Sequence, residues 1–320
     1  MIQQLATDLI LAAYRQRVSD VYLLPTATGY HLRFRRGAQP LLWRELSQDQ
    51  GQRLLTYFKF HADMTVSERR RPQVGALTWP VTETHVELRL STVGDYVGRE
   101  SLVIRLIYPY QASELAYLLP RQRPQVAALA QQRGLVLFAG PTGAGKTTTM
   151  YTIARELAQR AVVLTIEDPV EVKEPQFIQL QVNAAAQMTY DALIQVGLRH
   201  RPDVFVIGEI RDARTAQAAV RAALSGHLVL STVHAKSATG TRARLADLGI
   251  ADAQLRQVLV ASSYQRLIPR TARGPAVLLD LVTDAALWQP GTWKGWRQAL
   301  DEAFHAGTIT QTTQRAFQNG

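Results

Sequence analysis

Residues 140–148 read Gly-Pro-Thr-Gly-Ala-Gly-Lys-Thr-Thr, which puts Gly140, Gly145, Lys146 and Thr147 in register with the phosphate-loop pattern G-x-x-x-x-G-K-[ST]. The chemistry of that spacing is capture of a nucleoside triphosphate together with Mg²⁺. The loop Gly140, Pro141, Thr142, Gly143, Ala144 and Gly145 turns backbone N–H groups toward anionic oxygens, and the helix opening at Lys146, Thr147 and Thr148 adds its positive dipole end. Glycines let the chain approach the phosphates without a Cβ in the way. Lys146 reaches the β- and γ-phosphates, and the Thr147 hydroxyl holds the metal.

Two acidic strand tips could supply the rest. Asp203-Val-Phe-Val-Ile-Gly-Glu209 is an apolar run ending in a carboxylate, the form of a Walker B strand. Glu209 could hold Mg²⁺ through water or polarise the attacking water. Thr165-Ile-Glu-Asp-Pro-Val-Glu171 is a second tip, with Glu167, Asp168 and Glu171 close together. One acid for metal and one for water is a complete division of labour, with Glu167 assigned the water. Glu167 and Glu209 could exchange these roles. His227 and His234 bracket a further strand, seven residues apart, and do not read as a metal pair. His234 ends that strand, where it could sense the γ-phosphate or shape the site.

These tips work together only if their strands are parallel and end at one edge. Strand candidates 135–139, 162–166, 177–180, 204–207 and 228–232 alternate with helical stretches, including 147–158. This alternation predicts a mainly parallel α/β sheet covered on both faces. The region after Asp252 reads as mostly helical. The first ~110 residues read as a smaller α+β domain. Its helices are expected over 2–17 and 48–62. Its strands are expected over 21–24, 30–35, 74–79, 85–92 and 101–107. The organisation expected is therefore 1–109, a linker over 110–121 around Pro109 and Ser113, and 122–320.

The chain has 320 residues, 47% hydrophobic and 19% charged, which excludes a disordered chain. It contains no cysteine, so disulfides and thiolate zinc sites are excluded. No apolar run is long enough to span a bilayer, and no signal peptide is apparent. The expectation is a cytoplasmic protein. The net charge of +10 would suit an anionic partner. However, the basic residues are scattered, with tight clusters only at Arg33-Phe-Arg35-Arg36 and Arg69-Arg70-Arg71, and no aromatic residues interleave with a basic groove. Direct nucleic-acid binding is not expected.

Taken in order, the phosphate loop, the 165–171 tip, the 198–212 segment and Gly226-His-Leu-Val-Leu-Ser-Thr-Val-His-Ala235 resemble the four motif boxes of the secretion ATPases of type II secretion, type IV pilus and competence systems. Ser19-Asp20-Val-Tyr22 also resembles the opening of that family's N-terminal domain, with Tyr22 in place of a histidine. The resemblance implies a RecA-like ATPase domain preceded by a PAS-like α+β domain. It implies a homo-hexamer acting on an inner-membrane platform protein, with peripheral association at the cytoplasmic face. It also implies that Arg89 and Arg105 are arginine fingers for a neighbouring subunit's nucleotide, with Arg99 as a third candidate. A short, cysteine-free chain is most similar to the Gram-positive competence pseudopilus ATPases, which serve DNA uptake. Pilus retraction ATPases of the same family are the alternative. A RecA-like nucleic-acid translocase is the rival class, and it predicts stimulation of turnover by DNA or RNA.

Overall fold

A computed structural model describes residues 2–36, 39–82, 84–108, 115–170, 172–183, 186–272, 274–289 and 293–320. The chain divides into two compact units, residues 1–111 and 112–320. Residues 110–114 of the expected linker, Pro109 before it, and Glu171 of the second acidic tip lie outside the described residues.

Among the described residues, the first unit carries a six-stranded antiparallel sheet. In chain order the strands are β1 (Asp20–Pro25), β2 (Gly29–Arg36), β3 (Gln39–Ser47), β4 (Gln73–Val81), β5 (Thr84–Gly94) and β6 (Glu100–Ile107), arranged β3-β2-β1-β6-β5-β4. Two helices, α1 (Ile2–Arg15) and α2 (Gln48–His61), pack with its apolar face. Ala6, Leu9, Ile10 and Ala13 are buried at the spacing of one helical stripe. Ser47 starts α2 with a reciprocal cap: its hydroxyl accepts from the Gln50 amide, and the Gln50 side chain accepts from the Ser47 amide. Along β5 and β6, Val86, Leu88, Leu90, Leu102, Ile104 and Leu106 enter the core. The residues between them, including Arg89 and Arg105, point to the other face.

Two features were not foreseen. The strand β3 carries Pro40 and exposes Leu41 and Leu42, which hides its strand character. A proline is tolerated there because β3 is an edge strand with a bulge against β2. Second, Lys59 and Glu100 are buried and joined by a 2.6 Å ion pair, and Lys59 Nζ also donates to the Glu68 carbonyl at 2.5 Å.

The second unit carries, among the described residues, a seven-stranded sheet. Its strands are β7 (Gly134–Ala139), β8 (Val163–Glu167), β9 (Ile178–Gln181), β10 (Val204–Ile207), β11 (Leu228–Thr232), β12 (Leu259–Ile268) and β13 (Ala276–Thr283), in the order β13-β12-β7-β11-β10-β8-β9. All neighbours pair in parallel except β12 with β13. Alternate residues of β7 feed opposite cores: Leu135 and Leu137 one, Val136 and Phe138 the other. This is why the strand reads as a continuous apolar run.

The region after Asp252 is not mostly helical. A short helix over Asp252–Val258 is followed by β12 and β13, a 3-10 turn over Asp284–Trp288, and further α-helices over Lys294–His305 and Gln311–Phe317. Ser262, Ser263 and Gln265 mask β12 in the sequence. They are buried polar residues, and two of them serve internal hydrogen bonds: Ser262 donates to the Ala238 carbonyl and Gln265 to the Ala144 carbonyl.

Candidate active site

The short helix α3 (Gln122–Ala128) precedes β7, and the phosphate loop joins β7 to the helix α4 (Lys146–Ala158). Two of its glycines are obligatory. Gly145 caps α4 in the left-handed region at φ 83°. Gly140, at φ 139°, runs so close to β12 that a Cβ would stand 2.3 Å from the Gln265 carbonyl oxygen. Pro141, Thr142 and Gly143 are exposed at the loop tip, and Ala144 is buried, held by the Gln265 side chain at 2.8 Å. Lys146 Nζ donates to the Gly140 and Pro141 carbonyls at 2.9 and 3.0 Å. Burial lowers its pKa, and the Glu209 carboxylate opposes that shift. The lysine thus senses the Glu209 tip from the loop. Thr147 and Thr148 are half-buried in the first turn of α4.

The sheet order brings the remaining groups together. Moving away from β7, the strands are β11, β10 and β8, all parallel, so their carboxyl ends line one edge. Glu209 lies two residues past β10. Its Oε2 accepts from Arg211 Nε at 2.7 Å, and its Oε1 lies 2.9 Å from His234 Nε2. That second contact is close but poorly aligned, so Oε1 is a buried acceptor without a hydrogen bond among the described residues. An orphaned carboxylate oxygen beside a phosphate loop suits a cation. The Thr147 hydroxyl likewise has no side-chain hydrogen bond among the described residues, so the two form a donor pair compatible with Mg²⁺. No cluster of three or more His, Cys, Asp or Glu residues that could hold a metal ion exists among the described residues.

Glu167 ends β8 and is buried. Its Oε1 accepts from Tyr151 Oη at 2.5 Å and from Thr165 Oγ1 at 2.7 Å. Asp168 beside it is exposed. Tyr190 was not singled out in the sequence. A Cβ built on Gly208 would lie 3.2 Å from its hydroxyl and 3.4 Å from Glu167 Cγ. Burial raises the pKa of Tyr190, as does Asp168, while Arg211 opposes. Its hydroxyl therefore remains a neutral donor among the acids. Ser231 and Thr232 of β11 were also missed. They donate to the Ile207 and Gly208 carbonyls at 2.8 Å and lock the Glu209 tip against its neighbour. His227 sits at the other end of β11, where Nδ1 meets the Ala222 carbonyl, and takes no part.

Arg89 and Arg105 belong to the first unit. They face each other across β5 and β6, and Asp20 of β1 stands opposite Arg105 on its other side. Arg105 Nε donates to Asp20 Oδ1 at 2.9 Å, whereas Arg89 Nε is buried without a hydrogen bond among the described residues. Arg35 extends the same row next to Asp20, its guanidinium over the Tyr22 ring. Arg99 is placed in the β5–β6 turn, where it binds Asp95 and the Thr26 carbonyl.

The family model for type II/IV secretion system proteins matches residues 1–297. The chain belongs to that family. Members are ATPases, and so is this chain. The competence protein ComGA of Streptococcus pneumoniae is 39% identical over 310 residues, spanning 97% of this chain and 96% of that relative. ComGA of Bacillus subtilis is 39% identical over 273 residues, 83% of this chain and 76% of the relative. In structure the chain resembles the ATPase DotB of Legionella pneumophila, with a TM-score of 0.76 at 20% identity over 96% of this chain and 93% of that one. It also resembles the pilus retraction motor PilT, with a TM-score of 0.71 at 24% identity over 96% and 95%. At those identities the likeness concerns the α/β fold alone. No helix among the described residues is long and apolar enough to cross a membrane.

Proposed function

We propose that this secretion-family ATPase is the motor subunit that drives assembly of a type IV pilus-like competence pseudopilus for DNA uptake. It would work as a homo-hexamer on a membrane platform protein, peripherally at the cytoplasmic face. The observation that carries the chemical part is the order of strand tips. Lys146, His234 and Glu209 follow β7, β11 and β10, and Glu167 ends β8, four consecutive parallel strands of one sheet. The competence assignment, in preference to retraction, rests on the relatives at 39% identity along nearly the whole chain. In this reading the second unit is the RecA-like motor domain and the first is the PAS-like partner domain.

The residues divide the work as follows. The loop amides and Lys146 bind the phosphates, Lys146 exchanging its contacts with the Gly140 and Pro141 carbonyls for phosphate oxygens. Thr147 and Glu209 Oε1 would hold Mg²⁺, which when bound neutralises charge on the β- and γ-phosphates. Glu167 orients the attacking water, and Arg211 and His234 keep the Glu209 carboxylate in place. Arg89 and Arg105 would reach the phosphates of a neighbouring subunit. A side-by-side pair of arginines is a local cost to the sheet, and a planar, permanent cation suits charge spreading in the transition state.

The test is ATPase rate per subunit against protein concentration, with Lys146→Ala as the blank. The variant should fold normally by circular dichroism and lose about 10²-fold or more of turnover. Comparable turnover by Lys146→Ala would overturn the site. Wild-type specific activity should climb with concentration as rings form.

A further inference from the structure

Tyr151 is a buried polar group in this region that phosphate binding does not use. It lies on α4, five residues after Lys146, and is 0% exposed. Its ring packs on Phe177 at 5.5 Å between centroids, a role phenylalanine would fill equally well. The hydroxyl needs another explanation, because a buried hydroxyl is costly unless hydrogen-bonded. It donates to Glu167 Oε1 at 2.5 Å and accepts from Gln179 Nε2 at 3.0 Å. Gln179 belongs to β9, and its other donor and acceptor contacts grip the segment after the acidic tip. Its Nε2 donates to the Val172 carbonyl at 2.8 Å, and its Oε1 accepts from the Glu174 amide at 2.7 Å. Thr165 Oγ1 reaches the same Glu167 oxygen at 2.7 Å.

We propose that Tyr151 is a positioning residue for ATP hydrolysis, tying the Glu167 carboxylate to the helix that carries Lys146 and Thr147. The phosphate cradle and the water-handling acid then keep their spacing as one piece. The inference rests on the reading of Glu167 as the group that orients the attacking water. The direction of the bond follows from the hydrogen-bonding inventory. Gln179 Nε2 can only donate, so the tyrosine oxygen accepts there and turns its single proton to the carboxylate at 2.5 Å in preference to the Val172 carbonyl at 3.4 Å. Burial and the Glu167 charge both raise the pKa of Tyr151, so the proton stays on the hydroxyl throughout the working range. Two hydroxyl donors on one carboxylate oxygen fix the plane of the group, which sets where its other lone pairs point.

Tyr151→Phe keeps the ring and deletes the tie. The expected result is a kcat lowered about tenfold or more, since hydrogen bonds to charged groups are the stronger class. The KM for ATP and the affinity for a fluorescent ATP analogue should stay unchanged. The acid limb of the kcat profile should move to higher pH, because a carboxylate that loses a donor holds its proton more tightly. A packing role would not move that limb. Glu167→Gln is measured alongside. An active Glu167→Gln overturns the reading of Glu167, and this inference falls with it. A dead Glu167→Gln with wild-type kcat and limb in Tyr151→Phe overturns this inference alone. Should Tyr151→Phe fail to fold, Thr165→Val decides: a lowered kcat with the same limb shift supports the tie, and a wild-type profile removes it.

Discussion

Glu209 keeps its carboxylate between Arg211 and His234 while Lys146 feels its charge from the phosphate loop. The acid is therefore surrounded by cations or potential cations, yet one buried oxygen has no hydrogen bond among the described residues. Glu209→Gln keeps the shape and removes the charge. Turnover in Mg²⁺ should fall about 10²-fold, with nucleotide binding in EDTA little changed, as a fluorescent ATP analogue would report. Elsewhere, Asp280 on β13 has its pKa raised to about 6 by burial. Its unfolded value is near 3.8, so between about pH 4 and 6 the folded state binds more protons than the unfolded one. Stability should accordingly fall as pH rises through that window and stay lower above it. Asp280→Asn should flatten the dependence of melting temperature on pH and raise stability at pH 7 by roughly 1–2 kcal/mol. A variant curve parallel to wild type would show that Asp280 is not the titrating group.

The phosphate loop leans on β12. Gln265 supplies both the carbonyl that forbids a side chain at Gly140 and the amide that holds Ala144. Gln265→Leu leaves the Ala144 carbonyl without its partner, so unfolding free energy should drop by about 1–3 kcal/mol and the KM for ATP should rise. Denaturant titration and steady-state kinetics read the two effects. Gly140→Ala should abolish nucleotide binding outright. This supporting strand was missed in the sequence, whereas β7, β8, β10 and β11 were legible as apolar runs. The difference is physical. Strands buried on both faces announce themselves by hydrophobicity, but β12 spends three buried positions on Ser262, Ser263 and Gln265. The site divides in the same way. Lys146, Glu209 and His234 are legible because each follows its strand at a fixed offset. Tyr151, Thr165, Tyr190, Thr232 and Gln265 act through partners on other strands and helices, which only the sheet order brings near. For the edge strand β3, Pro40 and two exposed leucines spoil the alternation.

At the scale of the whole molecule, the first unit covers one sheet face and turns a row of charge outward on the other. Arg35, Asp20, Arg105 and Arg89 follow one another across β2, β1, β6 and β5. If Arg89 serves a neighbour's nucleotide, two inactive variants should rescue each other. Lys146→Ala retains the arginine, Arg89→Ala retains the loop, and mixed rings contain some complete sites. ATPase activity should reappear on mixing, and a mixture as inactive as its components would place Arg89 within its own chain's site. The buried Lys59–Glu100 pair has a different consequence for this unit. Glu100 shares the core-facing side of β6 with Leu102, Ile104 and Leu106. Sliding that strand by two residues would keep its apolar face on the core but carry the carboxylate about 7 Å away and strand an ammonium group in oil, a mistake costing several kcal/mol. The pair therefore acts as a proofreader of strand alignment, penalising misthreaded sheets that hydrophobic pattern alone would tolerate.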